Sequence, residues 1–128
     1  MSSRRTILIA IGNAGDAERF NEHFRNAEYD IHFVTDGTAV IDCVEQLEPQ
    51  LIVLAPMMPG INGFEFCKRI KDRQANRTMI MMVSNQNELC DVERAVAAGV
   101  DDFLSQPVNK IELCKRVDNL LKLHDCTN

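Results

Sequence analysis

The chain has 128 residues, 45% of them hydrophobic and 26% charged, with a formal net charge of −5. That length can bury a core without disulfides or metals, so one domain is expected over 1–128, with a core over about 6–123. The acidic balance argues against non-specific nucleic-acid binding, and no apolar run approaches the ~20 residues of a spanning helix.

The first apolar run, residues 7–11, is continuous and rich in β-branched side chains, as in a strand buried on both faces. Arg4 and Arg5 precede it, but the run is too short for the core of a secretory signal, and the polar stretch GNAGD follows at once. A cytoplasmic protein is therefore expected. Asp16 is placed to cap a helix whose Ala17, Phe20 and Phe24 share one face. Residues 30–35 (DIHFVT) read as a second strand, and Asp36-Gly37 as a turn. A helix follows with Val40, Ile41, Val44 and Leu47 at helical spacing, and it stops before Pro49.

Residues 51–54 form the third apolar strand. The loop over 56–62 carries Pro56, Pro59 and Gly60. A helix is expected from Gly63 to about Arg73, with Phe64, Cys67 and Ile70 facing inward. Residues 79–83 form a fourth strand, followed by a polar loop from Ser84 to Asn87. A helix over 88–98 ends at Gly99, a good C-terminal stop. Residues 102–105 form a short fifth strand. After Pro107, Asn109 caps a last helix carrying Ile111, Cys114, Val117, Leu120 and Leu121.

Five continuous apolar strands alternating with five amphipathic helices predict a doubly wound α/β fold. Its parallel sheet is covered on both faces, with right-handed crossovers. In such sheets ligands sit beyond the carboxyl ends of the strands. The residues delivered there are Ile11 and Gly12, Ala55 to Met57, Ser84 and Asn85, and Ser105 to Pro107. None of them is a carboxylate, histidine, cysteine or lysine.

Four segments carry a resemblance: ILIAI, PQLIVLAPMMPGINGFEF, MIMMVSN and AAGVDDFLSQPV. In this order the chain resembles the receiver domains of two-component response regulators, from Thr6 to about Leu123. The resemblance implies a flavodoxin-like (βα)5 fold with strand order 2-1-3-4-5. It also implies a site with an aspartate acceptor after strand three and an acidic pair holding Mg²⁺ after strand one. A Ser or Thr follows strand four, a Lys precedes Pro after strand five, and a switch aromatic lies on strand five. Mg²⁺ needs oxygen ligands, and charge on a transferred phosphoryl group needs the metal and the lysine.

This chain departs from that pattern at most positions. Ala55 stands at the acceptor position, Ile11 and Gly12 at the acidic pair, and Gln106 at the lysine. Only Ser84 and Phe103 match. The expectation is a degenerate pseudo-receiver that is not an enzyme and binds neither Mg²⁺ nor any other cofactor. Asp16, Asp36, Asp101 and Asp102 read as caps or surface charges, not substitute acceptors. By the family's usual cis Lys-Pro bond, Gln106-Pro107 is expected to be cis.

The resemblance also implies a signalling face built from the fourth helix, fifth strand and fifth helix, here about 88–98, 103–105 and 110–123. Ser84, Phe103, Val92, Lys110 and Lys115 are its switch and interface candidates, with Phe103 a fixed packing residue. The expected function is phosphorylation-independent interaction with a signalling protein, or homodimerisation, through that face. No nucleic-acid or membrane partner is expected of this domain. Alternatives are a small anion or nucleotide at the strand ends, or phosphorylation at a substitute residue. Five cysteines (Cys43, Cys67, Cys90, Cys114 and Cys126) lack a CxxC spacing and read as reduced, mostly helical thiols; a thiol sensor would rest on Cys126. His23, His32 and His124 are scattered and predict no metal site.

Overall fold

A computed structural model describes residues 5–12, 14–25, 28–73, 78–84, 92–105 and 108–126. The chain runs β1 (Arg5–Ala10), α1 (Ala14–His23), β2 (Tyr29–Val34), α2 (Gly37–Leu47) and β3 (Leu51–Leu54). It continues through β4 (Met57–Met58), β5 (Ile61–Asn62), α3 (Gly63–Arg73), β6 (Met79–Ser84), α4 (Val92–Ala98), β7 (Asp102–Ser105) and α5 (Lys110–Cys126). Five parallel strands form one sheet in the order β2-β1-β3-β6-β7, the expected doubly wound order once the small β4–β5 pair is set aside.

The sheet splits the core in two, because successive strand side chains point to opposite faces. Ile7, Ile9, Leu51, Val53, Met79 and Met81 meet Phe20 and Phe24 of α1 and Leu113, Val117 and Leu121 of α5. Leu8, Ala10, Ile52, Leu54, Ile80 and Met82 meet α2, α3 and α4 through Val40, Val44, Phe64, Cys67, Ile70 and Ala95. The parallel register sets Ile7 beside Leu51 and Leu51 beside Met79, so each face is a continuous apolar layer.

The helices begin where short polar side chains can take up unpaired backbone N–H groups. Asp36 caps α2 by accepting from the Thr38 N–H and hydroxyl, both at 2.9 Å. Asn62 accepts from the Phe64 and Glu65 N–H groups at the start of α3. Asn109 accepts from Glu112, as expected. Asp16 corrects the expectation for α1: the helix already starts at Ala14, so Asp16 lies in its first turn, where its charge favours the helix dipole and pairs with Arg19.

Asp101 and Asp102 are also more engaged than surface charges. Asp101 accepts from the Ile80 N–H at 2.7 Å and from Lys71 Nζ at 2.6 Å, tying α3 to the sheet. Asp102 pairs through both oxygens with Arg116 of α5 at 2.8 and 3.0 Å. The loop expected over 56–62 contains the antiparallel β4–β5 hairpin, with Met57 opposite Asn62 and Met58 opposite Ile61. Its corner is Pro59-Gly60; Gly60 has φ +86°, and proline followed by a positive-φ glycine suits a type II turn.

Candidate functional site

At the carboxyl edge of the sheet, Ile11 and Ala55 continue the ladder beyond their strands. The Ile11 N–H donates to Val34 O at 3.2 Å, and the Ala55 N–H to Ala10 O at 3.0 Å. Ile11 is 4% exposed and Ala55 9%, and both belong to the apolar layer under α1 and α5. Where the resemblance sets carboxylates, these positions carry core methyl groups.

Ser84 is buried at the end of β6, and its hydroxyl donates to the Ser105 hydroxyl across the β6–β7 pair at 3.3 Å. Phe103 is half-buried against the layer under α2, α3 and α4. Gln106, Pro107 and Asn85 lie outside the described residues, as do their expected roles and the Gln106-Pro107 peptide.

The β4–β5 hairpin lies against this edge at Gly12 and Gly37. Pro59 O accepts from the Gly37 N–H at 2.8 Å, which fastens the hairpin to the start of α2. Met58 is buried in the layer on that side, while Met57 turns outward. A β-carbon on Gly12 would lie 2.8 Å from Pro59 Cδ and 3.2 Å from Met58 Cβ. Any side chain at position 12 therefore requires the hairpin to shift. A β-carbon on Gly63 would lie 2.3 Å from Ala55 O and 2.8 Å from Pro56 O, so the loop after β3 and the start of α3 touch backbone to backbone. Nothing in the local sequence marks the roles of Met58, Pro59 and Ser105. The Pro-Gly pair was the only visible signal for the hairpin.

None of Ile11, Gly12 and Ala55 offers a side-chain oxygen. Among the described residues, no group of three His, Cys, Asp or Glu side chains could hold a metal ion. The histidines are dispersed: His32 sits against Asp30, His124 near Asp125, and His23 edge-on to Phe20. Cys43, Cys67 and Cys114 are free thiols on helices; Cys67 is buried and the other two half-buried. Cys90 lies outside the described residues, and so does the side chain of Cys126. Burial pushes the Cys67 thiol up to about 11.

On the face formed by α4, β7 and α5, Val96 is 70% exposed and Ile111 80%. Lys110 and Lys115 are exposed on α5, and Val92 is the first residue of α4. Arg94 of α4 lies over the Phe64 ring at 4.3 Å, a cation–π contact that clasps α4 to α3. Among the described residues, no helix is long and apolar enough to cross a membrane.

The response regulator receiver domain family matches residues 7–118. The DNA-binding response regulator MtrA of Mycobacterium tuberculosis is 30% identical over 122 residues, covering 95% of this chain and 53% of that protein. The heme response regulator HssR of Staphylococcus epidermidis is 29% identical over 102 residues, covering 80% of this chain and 45% of that protein. The chain thus spans about half the length of these curated relatives. Among solved structures, a response regulator from Chloroflexus aurantiacus superposes with a TM-score of 0.86 at 26% identity, covering 94% of this chain and 99% of that one. The signal receiver domain of a LuxO repressor protein from Vibrio parahaemolyticus superposes with a TM-score of 0.88 at 23% identity, over 98% and 95% of the two chains, which speaks for the fold alone. With a family match over residues 7–118 that runs through all five parallel strands, the chain belongs to the response regulator receiver domain family.

Proposed function

We propose that this receiver acts without phosphoryl transfer, as a protein-interaction module whose strand-end site binds neither phosphate nor Mg²⁺. The single observation that carries this reading is the apolar strand edge at Ile11 and Ala55. Ala55 has no nucleophilic oxygen and is packed into the core, and Gly12 has no room for a side chain beneath Pro59. A hard divalent cation needs several oxygen ligands, which these positions do not supply. Charge on a phosphoryl group would also meet no metal or described cation there. The module is accordingly no enzyme.

The output surface in this proposal is the α4–β7–α5 face. Val96 and Ile111 present apolar contact area on it, and Lys110 and Lys115 add charge. Its partner is a signalling protein or a second copy of the chain. Phe103 is a fixed packing residue in this reading, because no described group at the strand ends draws the Ser84 hydroxyl away from Ser105. The DNA binding named for the MtrA relatives is not carried over: a net charge of −5 opposes a phosphate backbone.

The test is a backbone-amide NMR titration with Mg²⁺ and then beryllofluoride, a phosphoryl mimic. The expected result is no saturable shift at Ala55, Ser84 or Gly12. Saturable shifts at those amides would show a working phosphoryl site and reject the proposal.

A further inference from the structure

Between α1 and the outermost strand β2 lies an open cleft of about 210 Å³ lined by Ala17, Glu18, Asn21, Phe33 and Thr35. It exists because Ala17 is small where Phe20 and Phe24 fill the rest of the α1 interface. On the same strand face, Tyr29 and Ile31 pack onto the core, but Phe33 stays 39% exposed. An accessible aromatic face on an edge strand calls for an explanation, since edges usually carry charged or small protection.

The exposed wall of the cleft is mostly apolar, and Glu18, Asn21 and Thr35 are its polar residues. The side chains of Glu18, Asn21 and Thr35 have no hydrogen-bond or ion-pair partner among the described residues. The nearby cation on α1, Arg19, is paired with Asp16. A carboxylate, an amide and a hydroxyl lining one cleft with an exposed aromatic ring suit a cation. The ring quadrupole attracts positive charge, and the carboxylate accepts its hydrogen bonds. The same carboxylate repels an anion, so a phosphate-bearing ligand does not suit this cleft.

We propose that the α1–β2 cleft receives an arginine side chain from a partner protein. The guanidinium stacks on Phe33 and is paired by Glu18, while Asn21 and Thr35 accept its outer N–H groups. Arginine suits the cleft better than lysine because its planar fork can stack and donate in several directions at once. This gives the domain a second contact surface, across the sheet from α4 and β7. It does not depend on the state of the strand-end site.

The full chain is titrated with N-acetylargininamide, N-acetylleucinamide and inorganic phosphate, and the backbone amides are followed by NMR. The arginine probe should give saturable shifts centred on Ala17, Glu18, Asn21, Phe33 and Thr35. For so small a probe the dissociation constant should be on the order of 1 mM. Phe33→Leu and Glu18→Gln, both at exposed positions, should each weaken it about fivefold, with an unchanged melting temperature. Added salt should weaken binding to the parent chain. Equal shifts with the leucine probe would make the cleft merely apolar, and saturable shifts with phosphate alone would make it an anion site. Either result, or variants that bind the arginine probe unchanged, overturns the proposal.

Discussion

Three residues decide what the strand edge can do: Gly12, Ala55 and Gly63. Replacing Ala55 with Asp returns the acceptor carboxylate to a position that is 9% exposed and apolar. Without a cation beside it, that charge loses solvation and gains no partner. The expected outcome of Ala55→Asp is a melting temperature lower by roughly 4–10 °C at neutral pH. The loss should shrink in acid, because the protonated carboxyl carries no charge to desolvate. An unchanged or higher melting temperature would show that the edge still accommodates charge. Gly63 tests packing without charge. The added methyl of Gly63→Ala must displace the Ala55 and Pro56 carbonyls, and urea unfolding should register a loss of about 2 kcal/mol. The identity of Ala55 was plain in the sequence. The close approach of Pro59 to Gly12 was not, because it depends on where Pro59 comes to rest, and no spacing along the chain encodes that.

At the scale of elements, the knot formed by Lys71, Asp101 and β6 joins α3 to the sheet at the end opposite the candidate site. Lys71 is 10% exposed and donates to both Asp101 and Thr78 O, and Asp101 also takes the Ile80 N–H. Asp101→Ala removes the shared acceptor, which leaves the Ile80 N–H unpaired and Lys71 with Thr78 O alone. The expected cost is about 2 kcal/mol in denaturant unfolding, below that of a fully buried pair because Asp101 keeps some contact with water. Asp101→Asn, which can still accept from Ile80, should lose less; equal losses would mean that the backbone bond contributes nothing.

The sequence revealed β1, β3 and β6 readily, since a strand buried on both faces is apolar throughout, as in LIVL over residues 51–54. It revealed α2 through the Asp36 cap and the Val40–Val44 spacing. It concealed β4 and β5, whose two-residue strands are too short to show any period. It also misplaced the start of α1, where a plausible cap at Asp16 outweighed two helical residues before it. The knot escaped notice because Lys71 and Asp101 are thirty positions apart and nothing local links them.

Across the whole molecule, the displaced titrations set how stability follows pH. Thr38 holds the Asp36 carboxyl below its ordinary value by hydrogen bonding, and Lys122 does the same for Asp118. Both groups are depressed on folding. Their contribution is present above the ordinary carboxylate value of 3.8 and is lost as pH falls through the folded values. Cys67 runs the other way. Its thiol, fully buried between α3 and the sheet, is raised from 9.0 to about 11, first by burial. Its contribution is complete below 9.0 and is lost as pH rises through about 11. The reactive thiolate is therefore scarce and inaccessible in the folded state, so Cys67 should react only when the molecule opens. In a chain whose other four cysteines are replaced by alanine, iodoacetamide labelling at pH 8 should be slow. Increments of urea should accelerate it in parallel with global unfolding measured by circular dichroism. Rapid labelling indifferent to urea would instead reveal a local opening of α3, and with it a looser strand edge than the packing of Phe64, Met58 and Ala55 implies.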